Sequence, residues 1–143
     1  MKITSSAFAE GQQIPADYTC DGRNVNPALL ISEIPEKTES LVLVVDDIDA
    51  PGGIFTHWVV FDISKKITKI DEDSQPGVAG KNNFGRVEYG GPCPPSGIHR
   101  YYFRVFALNK AVGLAPGVSR REVEDVMRDH IIGSAELMGT YGR

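Results

Sequence analysis

Cysteine, histidine and tryptophan are scarce in this chain of 143 residues, which has two cysteines, three histidines and one tryptophan. Cys20 and Cys93 are too few for a disulfide-built scaffold or for a zinc site of four thiolates. No stretch approaches the roughly 18 consecutive apolar residues of a membrane-spanning helix, and the N-terminal residues lack the apolar run of a signal peptide. We therefore expect a cytoplasmic protein with no transmembrane segment, in a reducing compartment where both thiols are free.

An excess of basic residues is also absent. The chain carries 15 lysines and arginines against 19 aspartates and glutamates, a formal net charge of -4. This balance argues against nucleic acid as a partner and against broad binding to anionic membranes. The chain has no linker, repeat or low-complexity tract, and its length suffices to bury a core, so the sequence predicts one domain over residues 1–143.

Short segments rich in branched and aromatic residues dominate the first two thirds of the chain. They are bounded by glycines and prolines, which is typical of strands joined by turns. The sequence therefore indicates a mainly β domain. The predicted strands are 29–31, 41–45, 58–63 and 101–108.

One helix is expected near the C-terminus, over about residues 119–138, which makes the predicted class α+β. Ser119 and Glu122 fit a capping box at its start. Gly139 is a plausible end, and Gly133 inside the helix would cost about 1 kcal/mol relative to alanine. Apolar residues then recur at helical spacing, at Val123, Val126, Met127, Ile131, Ala135 and Met138.

Three carboxylates, at residues 46, 47 and 49, directly follow the apolar segment 41–45. Asp47 and Asp49 are two residues apart, so in extended backbone their side chains point the same way. Pro51 and the glycines after it predict that the strand leaves its sheet in a turn. His57 begins the next strand, and a hairpin would bring it back toward these acids. Taken alone, this stretch also fits acids that cap a turn beside a buried structural histidine.

A second loop ends in another polar pair, His99 and Tyr101, on one face of the next strand. Prolines restrict this loop, and its glycines leave backbone N–H groups at Gly91 and nearby free to converge on an anion. An imidazole beside a carboxylate is favoured in its charged form, so His57 or His99 is expected to hold a proton near neutral pH. The two loops together predict an anion-binding pocket.

These motifs, in this order, resemble the two signature regions of the phosphatidylethanolamine-binding protein family, which includes the Raf kinase inhibitor proteins. The first region is Asp-Asp-x-Asp-Ala-Pro at 46–51 with His57-Trp58. The second is Gly-Pro-Cys-Pro-Pro-x-Gly-x-His-Arg-Tyr at 91–101. Four further segments, 18–22, 24–27, 83–85 and 136–141, resemble the short prokaryotic branch of the family.

The resemblance implies a large antiparallel sheet packed on a smaller one, with a small surface pocket for phosphate or a phosphoethanolamine headgroup. Ile48 departs from the family pattern, which has proline there, and this predicts a less rigid turn. The ligand-binding residues implied by the motifs are Asp47, His57, Gly91, His99 and Tyr101. The rim and its support are implied to be Asp49, Pro51, Pro92 and Cys93.

The expected function is the binding of a small anion, without catalysis and without a cofactor, in a protein that regulates partner proteins. The family also implies an alternative, inhibition of a serine protease or a kinase through a protein surface. Prokaryotic members are commonly homodimers, so a homodimer is expected as well.

Two other chemistries use the same residues. Asp47, Asp49, His57 and His99 are acceptable metal ligands, but none share the short helical spacing of many metal sites, and we predict no metal. A hydrolase would use Cys93 as nucleophile with a histidine base, but flanking prolines are an unusual setting for one, and we predict no catalytic residue. If the two cysteines lie close together near the pocket, a disulfide between them is an alternative to two free thiols.

Overall fold

The computed structural model describes all residues, 1–143, and contains two antiparallel sheets and one α-helix. The small sheet has the strand order β1-β2-β5, and the large sheet has the order β6-β4-β3-β7-β8. All four predicted strands are confirmed, as β2, β3, β4 and β7. The bounds are β1 Lys2–Thr4, β2 Leu29–Ser32, β3 Ser40–Asp47, β4 Phe55–Ser64, β5 Lys69–Ile70, β6 Val78–Ala79, β7 Ile98–Leu108, α1 Arg120–Met127 and β8 Ile131–Gly142.

Strand β3 lies at the centre of the large sheet, and all eight of its residues are buried. Its side chains alternate between the two faces of the sheet. Leu43 and Val45 join the core between the sheets, whereas Val42 and Val44 join a second core beneath α1. A strand covered on both faces requires a nearly continuous apolar sequence, which explains the run at 41–45.

Helix α1 begins as the sequence predicts. Ser119 is its N-cap, and the Ser119 Oγ accepts a hydrogen bond from the backbone N–H of Glu122 at 3.1 Å. This bond satisfies one of the unpaired donors of the first helical turn. Val123 and Met127 are buried against the face of the large sheet opposite the small sheet.

The prediction of a helix over 119–138 is wrong beyond Met127. Residues 131–142 instead form β8, which pairs with β7 along the whole length of that strand. Without β8 the outer edge of β7 would leave its backbone donors and acceptors unpaired. Ala135, Leu137 and Tyr141 share the inward face at alternate positions. Small residues at the other inward positions hid this two-residue period, so that the helical spacing dominated the sequence.

The large sheet brings both sequence motifs to the same end of its strands. Asp47, at the end of β3, lies opposite Phe55 of β4 and opposite Tyr101 of β7. A register shift follows Val45 in the β3–β4 pairing, at the point where the carboxylates begin. The acids therefore lie at the same end of the sheet as the residues of the second motif.

The close packing of β8 predicts the effect of substituting Gly139 with alanine. A Cβ atom there would lie 2.6 Å from Ile14 Cγ1 and 2.7 Å from Phe8 Cε2. We expect Gly139→Ala to lower the free energy of unfolding by about 1–3 kcal/mol through overpacking, as measured by urea denaturation. Ser134→Ala, at an exposed position of the same strand, is the matched control. Equal stability of Gly139→Ala and wild type would contradict this packing.

Candidate functional site

Asp47 and His99 form a short hydrogen bond at the end of the large sheet where β3 finishes and β7 begins. His99 Nδ1 lies 2.6 Å from Asp47 Oδ2, and both side chains are buried. The other oxygen, Oδ1, accepts the backbone N–H of Asp49 at 2.8 Å. Because a carboxylate accepts, Nδ1 of His99 donates. The Nε2 atom of His99 has no hydrogen-bond partner in the protein, which leaves it available to a ligand.

His57 is oriented by the backbone of the second loop. Its Nδ1 lies 2.7 Å from the carbonyl oxygen of Gly90. A carbonyl oxygen only accepts, so neutral His57 carries its proton on Nδ1 and a lone pair on Nε2. Burial lowers the pKa of His57, the Gly90 carbonyl and Asp47 oppose this, and His99 adds to the lowering. This lowering of the pKa favours the neutral form of His57 in the ligand-free protein.

Tyr101 neighbours both imidazoles. Its ring centroid is 5.3 Å from that of His57 and 6.4 Å from that of His99. The hydroxyl group is fully buried, and it has no hydrogen-bond partner of acceptable geometry. Burial raises the pKa of this hydroxyl, and the negative charge of Asp47 raises it further, so it stays protonated. Buried hydroxyls in folded proteins are normally paired, which makes this one a candidate donor to a ligand or an internal water.

The turn after β3 is held by Arg100, a residue that the sequence analysis did not single out. Its backbone N–H, its Nε and its Nη2 each donate to the Asp49 carboxylate at 2.9 Å. These bonds lower the pKa of Asp49 to about 2. A planar guanidinium that binds a carboxylate through two nitrogens fixes its orientation. Asp49 thus braces the turn, as the family resemblance implies, although Ile48 replaces the usual proline.

The loop before β7 does not present its backbone donors to the pocket in the way the sequence suggested. The N–H of Gly91 donates to the side-chain oxygen of Asn24 at 2.8 Å. Glycine is required here, because a Cβ atom would lie 2.3 Å from the carbonyl oxygen of Tyr18. The carbonyl of Pro92 accepts the N–H of Cys20 at 3.1 Å. The Gly91 N–H and the Pro92 carbonyl therefore join two loops and are not directed into the cavity, although the Gly91 backbone lies close to the His57 imidazole.

Cys20 and Cys93 form a disulfide, so the expectation of two free thiols is wrong. Their Cα atoms are 5.5 Å apart, because the loop contacts just described bring the two residues together. No free cysteine remains. A hydrolase that uses Cys93 as its nucleophile has no thiolate in this structure.

The predicted residues surround a cavity of about 250 Å³. Of the five predicted ligand-binding residues, Asp47, His57 and His99 line the cavity, whereas Tyr101 packs against the two imidazoles and Gly91 is not part of the lining. The remaining lining residues are Ala50, Pro51, Phe55, Phe84, Cys93, Pro94 and Pro95.

Aromatic packing orders this wall. The Phe84 ring packs edge-on against Phe55 at 4.8 Å and against His57 at 5.3 Å. Phe84 belongs to the Asn-Phe-Gly motif at 83–85, whose resemblance to the family was the only available signal for its presence in the site. Nothing in the sequence indicated that Phe55 lines the cavity, because an aromatic residue at the start of a strand is common.

A larger cavity, of about 310 Å³, lies on the opposite face of the sheet, beside α1. Burial raises the pKa of Asp46 on its floor, and Arg120 opposes this. The guanidiniums around this cavity are already matched by carboxylates, which favours a structural role. The ion pairs are Arg120 with Asp46 and Glu124, Arg104 with Glu136, and Arg128 with Asp125. We therefore locate the candidate site at the smaller cavity.

No group of three or more histidine, cysteine, aspartate or glutamate side chains is arranged to hold a metal ion. Asp49 points to Arg100 rather than toward the imidazoles. Separately, the one α-helix is too short to cross a membrane.

A model of the family described as phosphatidylethanolamine-binding protein matches residues 4–142. A relative from Aquifex aeolicus, named UPF0098 protein, is 47% identical over 152 aligned residues, which cover 100% of this chain and 89% of that protein. A relative of the same name from Methanothermobacter thermautotrophicus is 41% identical over 150 residues, with 100% and 99% covered.

Two solved structures share the fold over nearly their whole length. CT736 of Chlamydia trachomatis, described as a phosphatidylethanolamine-binding protein homologue, is 39% identical with a TM-score of 0.96, covering 99% of this chain and 97% of that one. YbcL of Escherichia coli, described as a new member of the mammalian family, is 31% identical with a TM-score of 0.92, covering 99% and 98%. The chain belongs to the phosphatidylethanolamine-binding protein family, and its relatives here are bacterial and archaeal.

Proposed function

We propose that the 250 Å³ cavity binds a small phosphate-type monoanion together with one proton. One observation carries this proposal: two imidazoles at one cavity, each with Nδ1 held by the protein and Nε2 without a partner. The buried Tyr101 hydroxyl adds an unpaired donor next to both rings. The family description names phosphatidylethanolamine, a phospholipid whose headgroup contains a singly charged phosphate.

The charge of the cavity explains why a proton must accompany the anion. No lysine or arginine lines it, and Asp47 contributes a negative charge. A dianion would be repelled, and neutral His57 offers a lone pair where an anion needs a donor. Either the ligand brings an acidic O–H to His57 Nε2, or His57 takes up a proton when the anion binds. Phosphoethanolamine is favoured because its ammonium group offsets the charge of Asp47.

We infer a binding protein that acts on partner proteins and that uses no cofactor, in a cytoplasmic location and as a homodimer. The Cys93 sulfur is held in the disulfide and is not a free thiol in the cavity. Free thiols were expected as a consequence of the cytoplasmic location, and the disulfide departs from that expectation because disulfides are rare in cytosolic proteins.

Histidine signals should report the ligand directly. In an NMR titration with O-phosphorylethanolamine, the imidazole signals of His57 and His99 are expected to shift in a saturable way. His130 is the internal control, since its Nδ1 bonds to Asn109 and it lies outside the cavity. Unmoved His57 and His99 signals at high ligand concentration would overturn the proposal.

Two variants separate binding from folding. His99→Gln is expected to weaken binding by about tenfold, since it removes the imidazole that Asp47 holds at the cavity. Tyr101→Phe removes one oxygen that has no protein partner, so it should weaken binding without lowering the free energy of unfolding. Isothermal titration and urea denaturation give the two quantities. Full affinity in both variants would place the ligand elsewhere.

The pH dependence follows from His57. Its pKa is lowered in the folded protein, so below about pH 6.5 the unfolded chain binds more protons than the folded one. The stability of the ligand-free protein should therefore fall as the pH is lowered from neutral, and His57→Gln should flatten this fall relative to His130→Gln. The charged groups nearest His57 are Asp47 and His99.

Affinity should change in the opposite direction and rise as the pH falls. Glycerophosphoethanolamine, a phosphodiester, stays monoanionic across this range, so its affinity reports proton uptake by the protein alone. O-phosphorylethanolamine adds the proton of its own phosphate. Affinities that do not depend on pH for both ligands would contradict a bound proton.

A second candidate function is inhibition of a serine protease by the loop just before β7. Ile98, the first residue of β7 at the end of this loop, is 75% exposed, and the two backbone hydrogen bonds between Gly97 and Arg143, at 2.9 and 3.2 Å, hold the loop in place. Dose-dependent inhibition in a panel of serine proteases, lost in Ile98→Asp but retained in Ile54→Asp, would support it. No inhibition by wild type would remove it.

A further inference from the structure

We propose that Cys93 is a site of thiol–disulfide exchange with low-molecular-weight thiols, in which Cys20 leaves as a thiolate beside Arg143. The two halves of the disulfide have different surroundings. Cys93 is exposed and lines the candidate cavity, whereas Cys20 is only partly exposed. Both cysteines border a second opening, of about 410 Å³, but only Cys93 also lines the candidate cavity. A small thiol can therefore approach Cys93 more easily than Cys20.

A cation lies next to only one of the sulfur atoms. Nη2 of Arg143 is 3.3 Å from Cys20 Sγ. The same guanidinium binds Asp21, whose other oxygen accepts the Tyr141 hydroxyl at 2.6 Å. The backbone of Arg143 is fixed by its two bonds to Gly97. A positioned guanidinium stabilises a thiolate, and Asp21 reduces that effect without removing the contact.

The exchange reaction is balanced. An attacking thiolate forms a new S–S bond with Cys93 Sγ, the Cys93–Cys20 bond breaks, and its electron pair remains on Cys20 Sγ. One disulfide replaces another, so no external oxidant or reductant is needed for this step. A better stabilised thiolate leaves faster, which directs attack to Cys93. The Cys20 thiolate can then attack Cys93 Sγ in return, which expels the small thiol and restores the original bond.

Several contacts keep the two loops together after the bond opens. The Cys20 N–H bonds to the Pro92 carbonyl at 3.1 Å, and the Tyr89 hydroxyl bonds to the Tyr18 carbonyl at 2.7 Å. Cys20 therefore stays close enough to reverse the reaction. An adduct on Cys93 would occupy the wall of the candidate cavity and compete with an anion there, a consequence that rests on the proposed function.

The test is to map the adduct on the full chain. The oxidised protein is mixed briefly with reduced glutathione, quenched with acid, and its free thiols are trapped with N-ethylmaleimide. Trypsin separates the two cysteines into peptides 3–23 and 87–100. Glutathione on 87–100 with maleimide on 3–23 is expected. The reverse arrangement, an equal mixture, or no adduct would overturn the proposal.

The role of Arg143 has its own comparison. Arg143→Gln is expected to slow the exchange by about threefold to tenfold and to reduce its preference for Cys93, whereas Arg143→Lys should retain most of the rate. Arg128→Gln, an exposed arginine paired with Asp125 on α1, is the matched control and should not change it. Equal rates for Arg143→Gln and Arg128→Gln would remove Arg143 from the mechanism.

Anion binding is measured separately, on the glutathionylated protein. If wild type binds phosphate and the adduct abolishes the His57 and His99 shifts, the exchange controls the cavity. If the adduct leaves those shifts unchanged, the consequence for the cavity is wrong while the mapped exchange stands. Failure of wild type to bind phosphate concerns the proposed function alone, because the peptide map needs no anion.

Discussion

Asp46 and Asp47 are adjacent on a strand that is buried on both faces, and the site depends on how each of these carboxylates is matched. Asp46 is fully buried and accepts bonds from the Thr56 hydroxyl at 2.9 Å and from Arg120 at 3.0 Å. Asp47, on the other face, accepts from His99. A buried carboxylate without a partner would lower the free energy of unfolding by several kcal/mol, so we expect the loss of either partner to destabilise the fold.

The interactions of these two carboxylates connect four elements of the fold. Arg120 comes from α1, Thr56 from β4 and His99 from β7, while both acids end β3. Arg120 donates to Asp46 and also to Thr56, at 3.0 Å each, so that one side chain spans β3 and β4. His57 follows Thr56 directly, and its position is therefore fixed from beneath the sheet. Asp47, Phe55, His57 and His99 of the cavity wall belong to strands, whereas the other six lining residues belong to the loops between them.

Local patterns predicted four of the eight strands and the start of the helix, since these features depend on neighbouring residues. The apolar run at 41–45 and the cap at Ser119 are of this kind. Strand β8 was missed because Ile131, Ala135 and Met138 fit a helical period, and pairing with β7 is a contact between distant segments. Tertiary pairing outweighed the local pattern at this point.

The site shows the same division. The family motifs identified Asp47, His57 and His99, but not their hydrogen-bond partners, which determine the tautomers of the imidazoles. The Gly91 N–H was expected at the ligand, yet it is taken by Asn24, far away in the sequence. Likewise, no local signal showed that Arg100 would bind Asp49 or that the two cysteines would meet. The motifs thus pointed to residues of the cavity wall. Pairing with distant segments determined which hydrogen bonds each of these residues makes.

The disulfide also has a consequence for the unfolded chain. Cys20 and Cys93 are separated by 73 positions, and the segment between them contains β2 through β6. Closing a loop of that length removes conformational entropy from the unfolded state, worth about 4 kcal/mol in the chain-entropy model. Roughly half of the polypeptide, including the β3–β4 hairpin, is thereby restricted before any sheet forms. The bond that borders the cavity is also the covalent closure that limits how far this chain can expand when it unfolds.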